Sequence, residues 1–446
     1  MHIRVRGTAA ATALALAALL PATGTVAAAA DAPTAGQESG RVGVEYFPDP
    51  RGEGARTDVP ATSPHAQSAP ASRQRTGPGD GEVVPIAETG STADRLDVTI
   101  IGDGYTAAQQ EDFLADARAK WNAVTGIEPY KSYEGLFNVW AVQAVSQDSG
   151  VTGDPTQDVT RNTALGSYFF CDEIERLICV DLDKTKSYAD RAPATDLVIV
   201  VSNSTKYGGA GYSGLAGDYG YDGVSTLSSD NAQSTLIAAH EMAHSIGLLA
   251  DEYQYDGYGA YPGDEPAAAN VSKLTADRMA AQGTKWADWL GETDPSGGVV
   301  DTFEGGDYYE YGIYRPTANS IMRSLNTDQF NLPGREAMIA GFYRSANALT
   351  PLADPATRTS RFARLSVSLA TLPTGTLARP QLRWYVDGRE ARQARGRTSI
   401  VPAALGVPSG RRAHTVTAKV VDMTVAVRSA EVRGITSNSV TWTFKG

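Results

Sequence analysis

The segment HEMAHSIGLLADEY, beginning at His240, holds the residues of this chain best able to do chemistry. On a helix, positions four apart share a face, so the rings of His240 and His244 can converge on one ion while Glu241 lies one step round, beside it. Neutral imidazoles bind zinc well, and zinc brings the pKa of a bound water to roughly 7, where a carboxylate can take its proton. The pattern therefore implies hydrolysis by a metal-activated water, with Glu241 as general base. Leu236, Ile237 and Ala239 supply a buried flank for such a helix.

A catalytic zinc keeps three protein ligands and one open position. The chain has five histidines, and the remaining three are poorly placed: His2 at the amino terminus, His65 in a polar stretch and His414 far downstream. The third ligand is therefore expected to be a carboxylate, with Asp251 the leading candidate. Gly247 stands where a left-handed residue would end the helix and swing the chain back over the metal. A Glu on a later helix, such as Glu292, is the competing third ligand. Glu252 is a candidate for orienting a ligand, although an exposed acid at a helix end would look the same.

The run H-E-x-x-H-x-x-G opens the metzincin pattern, whose third ligand is normally a His three residues after the Gly. Ala250 occupies that position here. HEMAHSIGLLADEY, with Asp251-Glu252-Tyr253, instead resembles the IgA-specific metalloendopeptidase (IgA peptidase) family of bacterial metzincin-like enzymes, in which an Asp takes the third place. LDVTIIGDGYTAAQ from Leu96, ALGSYFFCDEIERL from Ala164 and ANSIMRS from Ala318 are similar to that family too. The resemblance implies an α/β, metzincin-like catalytic domain, one zinc ion, endopeptidase activity on a protein or peptide, and a Met-turn at Met322 beneath the metal. It also makes the Gly-rich stretch from Tyr207 to Tyr212 a candidate edge strand that pairs with an extended peptide, a surface loop being the other reading. Tyr308, Tyr309, Tyr311 and Tyr314 lie between the helix and Met322, where one hydroxyl could steady a tetrahedral oxyanion.

These residues need a scaffold, and the pattern around them is α/β. Leu96, Val98 and Ile100 alternate with polar neighbours and predict a strand, as do Leu136 to Val145 and the continuously apolar Leu197 to Val201. Thr106 and Gln109 make a capping box ahead of a helix on which Phe113, Leu114, Ala117, Trp121 and Val124 recur. From about Arg361 no helical period is found. Leu382 to Val386, His414 to Val421 and Val440 to Phe444 alternate with period two, which predicts a small all-β, immunoglobulin-like sandwich serving as a packing or binding module. The expected organisation is a signal peptide over 1–30, a disordered Pro-rich lead or propeptide over 31–88 in which only Val42 to Phe47 could pair as a strand, a catalytic domain over 89–350 and the β-sandwich over 361–446.

The compartment follows from the amino terminus. Arg4 and Arg6, the apolar run from Thr8 to Leu20 and Ala28-Ala29-Ala30 form a cleavable signal, so the product is expected to be secreted, with no stable membrane association. The formal charge of −12 becomes still more negative without those two arginines, which argues against nucleic acid as a partner. In an exported chain the two cysteines, Cys171 and Cys179, are expected to form a local disulfide rather than remain buried thiols. Acidic residues from Asp218 to Asp222 invite calcium but lack EF-hand spacing, and exposure explains them equally well. The reading from another class is a secreted binding or adhesion protein whose zinc is structural.

Overall fold

The computed structural model describes residues 40–66, 79–357, 360–410 and 412–445; the expected signal segment lies outside them. Eight strands build the main sheet: β1 (Arg41–Tyr46), β2 (Ala55–Pro60), β3 (Val83–Ala87), β4 (Leu96–Asp103), β5 (Phe137–Val142), β6 (Leu197–Ser202), β7 (Gly209–Ser213) and β8 (Gly223–Ser228). Their order is β2-β1-β7-β8-β6-β4-β5-β3. The central four, β8-β6-β4-β5, are parallel, and the strands outside them are antiparallel to their neighbours.

Every residue of the four parallel strands is buried, as expected where both faces of a sheet are covered. In β4 this includes the polar positions that alternation would have turned toward water. Asp97 stays inside because it accepts hydrogen bonds from Asn138 Nδ2 and Trp140 Nε1, each at 3.0 Å, which offset the cost of burying its charge. At the end of β4, buried Asp103 takes the Thr163 hydroxyl at 2.9 Å and the backbone N–H groups of Leu165 and Ser167 at 2.9 and 2.8 Å. This anchors the loop in which Cys171 and Cys179 form the expected disulfide.

Four helices matter for the site: α1 (Gln110–Val124), α2 (Leu182–Ala189), α3 (Ser234–Gly247) and α4 (Leu332–Ser345). The capping box at Thr106 and Gln109 is present, and α1 buries the five apolar residues whose spacing predicts it. Helix α3 is buried on nearly all sides. It lies between the β7–β8 side of the sheet, α1 and α4, and Gly341 of α4 sits where a β-carbon would be 2.0 Å from the Ile246 carbonyl oxygen.

Two expectations need correction here. In the stretch 31–88, β1 lies where Val42 to Phe47 could pair, but β2 and β3 are ordered strands where disorder is expected. Its composition is too polar to build a core of its own, but it has no need of one. It borrows backbone partners from β7 and β5 and buries Val44, Phe47 and Val59 in the cores around the main sheet. The carboxy-terminal region is not free of helix either, because Ala430–Ile435 forms one too short to leave a period.

Among its described residues that region otherwise holds two small sheets, one of three strands and one of four. The first contains β11 (Leu349–Pro351), β12 (Leu365–Leu369) and β15 (Ser399–Ile400); the second contains β13 (Pro380–Val386), β14 (Arg389–Glu390), β16 (Ala413–Asp422) and β17 (Ser437–Lys445). A hairpin of β9 (Phe303–Gly306) and β10 (Tyr309–Arg315) precedes them in the chain. Trp384 and Trp442 stack at 5.9 Å in the interior of the β region, which is continuous with the main core. Among the described residues no helix is long and apolar enough to cross a membrane.

Candidate metal centre

Helix α3 places His240 and His244 on one face, one turn apart, with His240 fully buried. Their Nδ1 atoms face the carbonyl oxygens of Ile321, at 2.9 Å, and Leu249, at 2.8 Å. A carbonyl can only accept, so each Nδ1 carries the hydrogen and each Nε2 presents a lone pair. Those two Nε2 atoms lie 2.9 Å apart. Two lone pairs at that distance repel unless a cation stands between them.

The helix ends at Gly247, but the left-handed residue is Leu248, at φ 54°. Gly247 is required for a different reason: a β-carbon there would lie 2.7 Å from Met338 Sδ of α4. The reversal brings Asp251 back under the helix, with Oδ1 at 3.2 Å from His240 Nε2 and 3.3 Å from His244 Nε2. Asn270 clasps the backbone on the way, accepting from Ala250 N–H and donating to Ala250 O at 2.8 Å each.

A fourth group joins them that the sequence reading passed over. Glu45 of β1 points its carboxylate into the cluster, Oε1 at 3.2 Å from His240 Nε2 and Oε2 at 3.4 Å from His244 Nε2. One ligand atom from each of Glu45, His240, His244 and Asp251 lies within 4.8 Å of the others. Glu45 Oε1 and Asp251 Oδ1 are buried without hydrogen-bond partners. Such atoms are costly to leave bare, and the donor set of two imidazole nitrogens and two carboxylates fits a divalent cation. Without one, burial opposes charging His240, yet Glu45 and Asp251 push its pKa up to about 10.

Glu241 lies beside the cluster, with Oε1 also lacking a hydrogen-bond partner. Burial first, and then the Glu45 carboxylate, push it up to about 8. Its carboxylate fits against β7 only because residue 211 is Gly. The Gly-rich stretch is thus a strand, and its missing side chain makes the recess for Glu241.

Next to the cluster, Met322 is buried in the turn whose Ile321 carbonyl holds His240, and its own carbonyl accepts from Glu252 N–H at 2.8 Å. Glu252 is buried rather than exposed. It accepts from Asn270 at 3.0 Å, Ser320 at 2.7 Å and Asn331 at 2.8 Å, tying three loops together behind Asp251. Among the four tyrosines considered, Tyr308 reaches the cluster and donates to Asp251 Oδ2 at 2.5 Å, while Arg56 donates to Tyr308 Oη. Tyr309, Tyr311 and Tyr314 lie on β10, with Tyr311 exposed. Glu292 is not brought to the histidines; it is exposed and pairs with Arg428 at 2.9 Å. Among the described residues the metal-type cluster lies at Glu45, His240, His244 and Asp251, and the acidic stretch 218–222 forms none.

A buried His-Glu-x-x-His helix with a nearby carboxylate and a sheet strand running past it is the arrangement of a metal-dependent peptidase. The chain belongs to the IgA peptidase M64 family, whose model matches residues 84–297 and 292–342. That span holds His240, Glu241, His244, Asp251 and Met322, and leaves out β1, β2 and the carboxy-terminal sheets. No curated protein matches the chain.

Proposed function

We propose that the chain is a secreted, metzincin-like zinc endopeptidase in which His240, His244 and Asp251 hold the metal and Glu241 is the general base. The observation that carries this reading is the pair of Nε2 lone pairs facing one another at 2.9 Å above Asp251. Ligands about 2.0 Å from a tetrahedral zinc stand about 3.3 Å apart, close to the 3.2–3.4 Å separations between carboxylate and imidazole in the cluster. When bound, zinc supplies Lewis acidity that polarises a carbonyl and makes a nearby water acidic. Glu241, in its recess opposite Gly211, takes the proton of the attacking water and delivers it to the departing amine. Strand β7, paired on its outer side with β1, would offer backbone hydrogen bonds to an extended substrate only once that side is uncovered, and Tyr308 holds the Asp251 carboxylate in place.

Secretion is supported by the signal-like amino terminus and the disulfide between Cys171 and Cys179. The carboxy-terminal sheets fit an immunoglobulin-like accessory module, and the substrate is a protein or peptide. The family description does not by itself assign immunoglobulin A as that substrate, because specificity resides in the cleft walls.

Glu45 gives a second reading some weight. Four protein ligands make a closed set, as in structural zinc sites, and the chain would then be a binding or adhesion protein. A structural site has no use for a buried base in its own recess, which favours the enzyme. The test is cleavage of denatured proteins by zinc-loaded chain carrying Glu45→Ala, with and without Glu241→Gln. Cleavage is expected only where Glu241 remains, at equal zinc content. Cleavage that survives Glu241→Gln overturns the base, and none by either protein favours the structural site.

A further inference from the structure

We infer that residues 40–66 are an autoinhibitory segment: β1 fills the peptide-docking edge of β7 while Glu45 takes the metal's fourth position, so the full chain is latent until this segment is displaced. The inference rests on the peptidase reading above and adds to it an occupant for the substrate cleft.

The sheet order carries the first part. β1 and β2 are the outermost two strands on their side, so the sheet without them ends at β7 and every other strand pairing is untouched. β7 is then an open edge running past the metal, the surface an extended peptide would use. β1 pairs with it antiparallel, Val44 opposite Tyr212 and Glu45 opposite Gly211. Residue 45 of the segment thus stands against Gly211, the position of β7 that also faces the Glu241 carboxylate.

The chemistry of Glu45 carries the second. A catalytic metal keeps one position open for water and substrate. Here the Glu45 carboxylate, only 4% exposed, would take that position once a metal is held by His240, His244 and Asp251. β1 therefore lies as a substrate strand would, but presents to the metal a carboxylate that has no bond to cleave. The fit is built along the segment. The Phe47 ring meets the His240 ring edge-on at 5.0 Å. Gly54 leaves no room for a β-carbon, which would lie 2.5 Å from Glu45 Oε1 and 2.7 Å from the Tyr253 ring. Glu53 pairs with Arg323 at 2.6 Å, one residue beyond Met322. The family match begins at residue 84, so the segment lies outside the matched residues.

A tethered ligand acts at an effective concentration in the millimolar range, and a small metal-binding probe must compete with it. The experiment uses the full chain loaded with cobalt(II) in place of zinc, and measures its visible absorption spectrum and its affinity for acetohydroxamate. Glu45→Ala should keep one metal, shift the spectrum and bind acetohydroxamate at least about ten-fold more tightly than the parent. The zinc-loaded variant should gain cleavage of denatured protein to match. Gly54→Ala, which unseats the hairpin without altering a ligand, should move both readouts the same way and covers the case in which Glu45→Ala does not fold. Equal acetohydroxamate affinity in parent and variants overturns the inference, as does loss of metal from a folded Glu45→Ala protein, which would make Glu45 a structural ligand. Tighter acetohydroxamate binding with no cleavage of any substrate leaves the latch standing and removes the peptidase reading instead.

Discussion

A β-carbon on Gly211 would lie 1.8 Å from the carboxylate carbon of Glu241. The strand that borders the cleft and the base on the helix behind it therefore share one small volume, and any side chain at 211 displaces one of them. A displacement of about 1 Å at a reacting group can cost about a hundred-fold in rate. In chain activated by Glu45→Ala, Gly211→Ala should lower kcat by about that factor while zinc content is unchanged. Parallel kcat and metal measurements check this, and unimpaired kcat would remove Glu241 from the role of base.

Asp251 is expected to be indispensable to the metal. Asp251→Ala should leave the purified protein without stoichiometric zinc, as measured by atomic absorption. Tyr308→Phe removes only the hydrogen bond to Asp251 Oδ2, so its effect should be milder, about a ten-fold to hundred-fold weaker metal affinity by chelator competition.

Glu252 is the buried junction of the Asn270, Ser320 and Asn331 side chains. Glu252→Ala strands three donors, each worth about 1–3 kcal/mol when left unsatisfied. Urea unfolding should register a loss of about 3 kcal/mol or more, together with weaker metal binding because the Met322 turn loosens. A neutral effect would mean that water replaces the carboxylate.

Much of this site was legible because it is local. His240, Glu241 and His244 share one helix whose spacing dictates their placement, Asp251 follows one chain reversal later, and the structure brings both histidines and Asp251 together. The central strands were legible from apolar runs, although β4 conceals Asp97, whose partners come from β5. Glu45 was not legible. In RVGVEYF the apolar residues Val42, Val44 and Tyr46 alternate, which puts Glu45 on the face normally turned to water. That face looks into the cleft, and nothing near residue 45 in the sequence reveals it. Gly247 was read for its backbone freedom, whereas its importance lies in contact with Met338, a residue on another helix.

The close approach of α3 and α4 supplies a stability test. A methyl group at Gly341 would sit 2.0 Å from the Ile246 carbonyl oxygen, so Gly341→Ala must separate the two helices. Overpacking of this kind costs about 1–3 kcal/mol, and thermal unfolding of the metal-loaded protein should show the corresponding fall in Tm.

Metal removal should make stability fall as pH rises. In the metal-free protein the His240 pKa is raised from 6.5 to about 10, the two carboxylates overcoming burial, and Glu241 is raised from 4.5 to about 8 by burial and Glu45. Both groups bind protons more tightly folded than unfolded, so both stabilise at low pH and lose that contribution as pH rises through their folded values. Metal-free protein should therefore melt at a lower temperature at pH 9 than at pH 6. Metal binding competes with those protons, so the metal-loaded protein should not follow this trend.

Helix α4 has two clients. On one side Gly341 and Met338 brace the end of α3. On the other, Tyr343 donates to Asp422 at 3.2 Å, a carboxylate that also takes the Tyr133 hydroxyl at 2.6 Å, and Glu336 accepts the backbone N–H groups of Arg428 and Ser429 at 2.8 and 2.7 Å. The carboxy-terminal sheets are thus a foundation for the metal helix rather than a detachable appendage. Anyone seeking a minimal working enzyme by trimming the chain near Pro351 would be cutting away the wall against which the histidines are held.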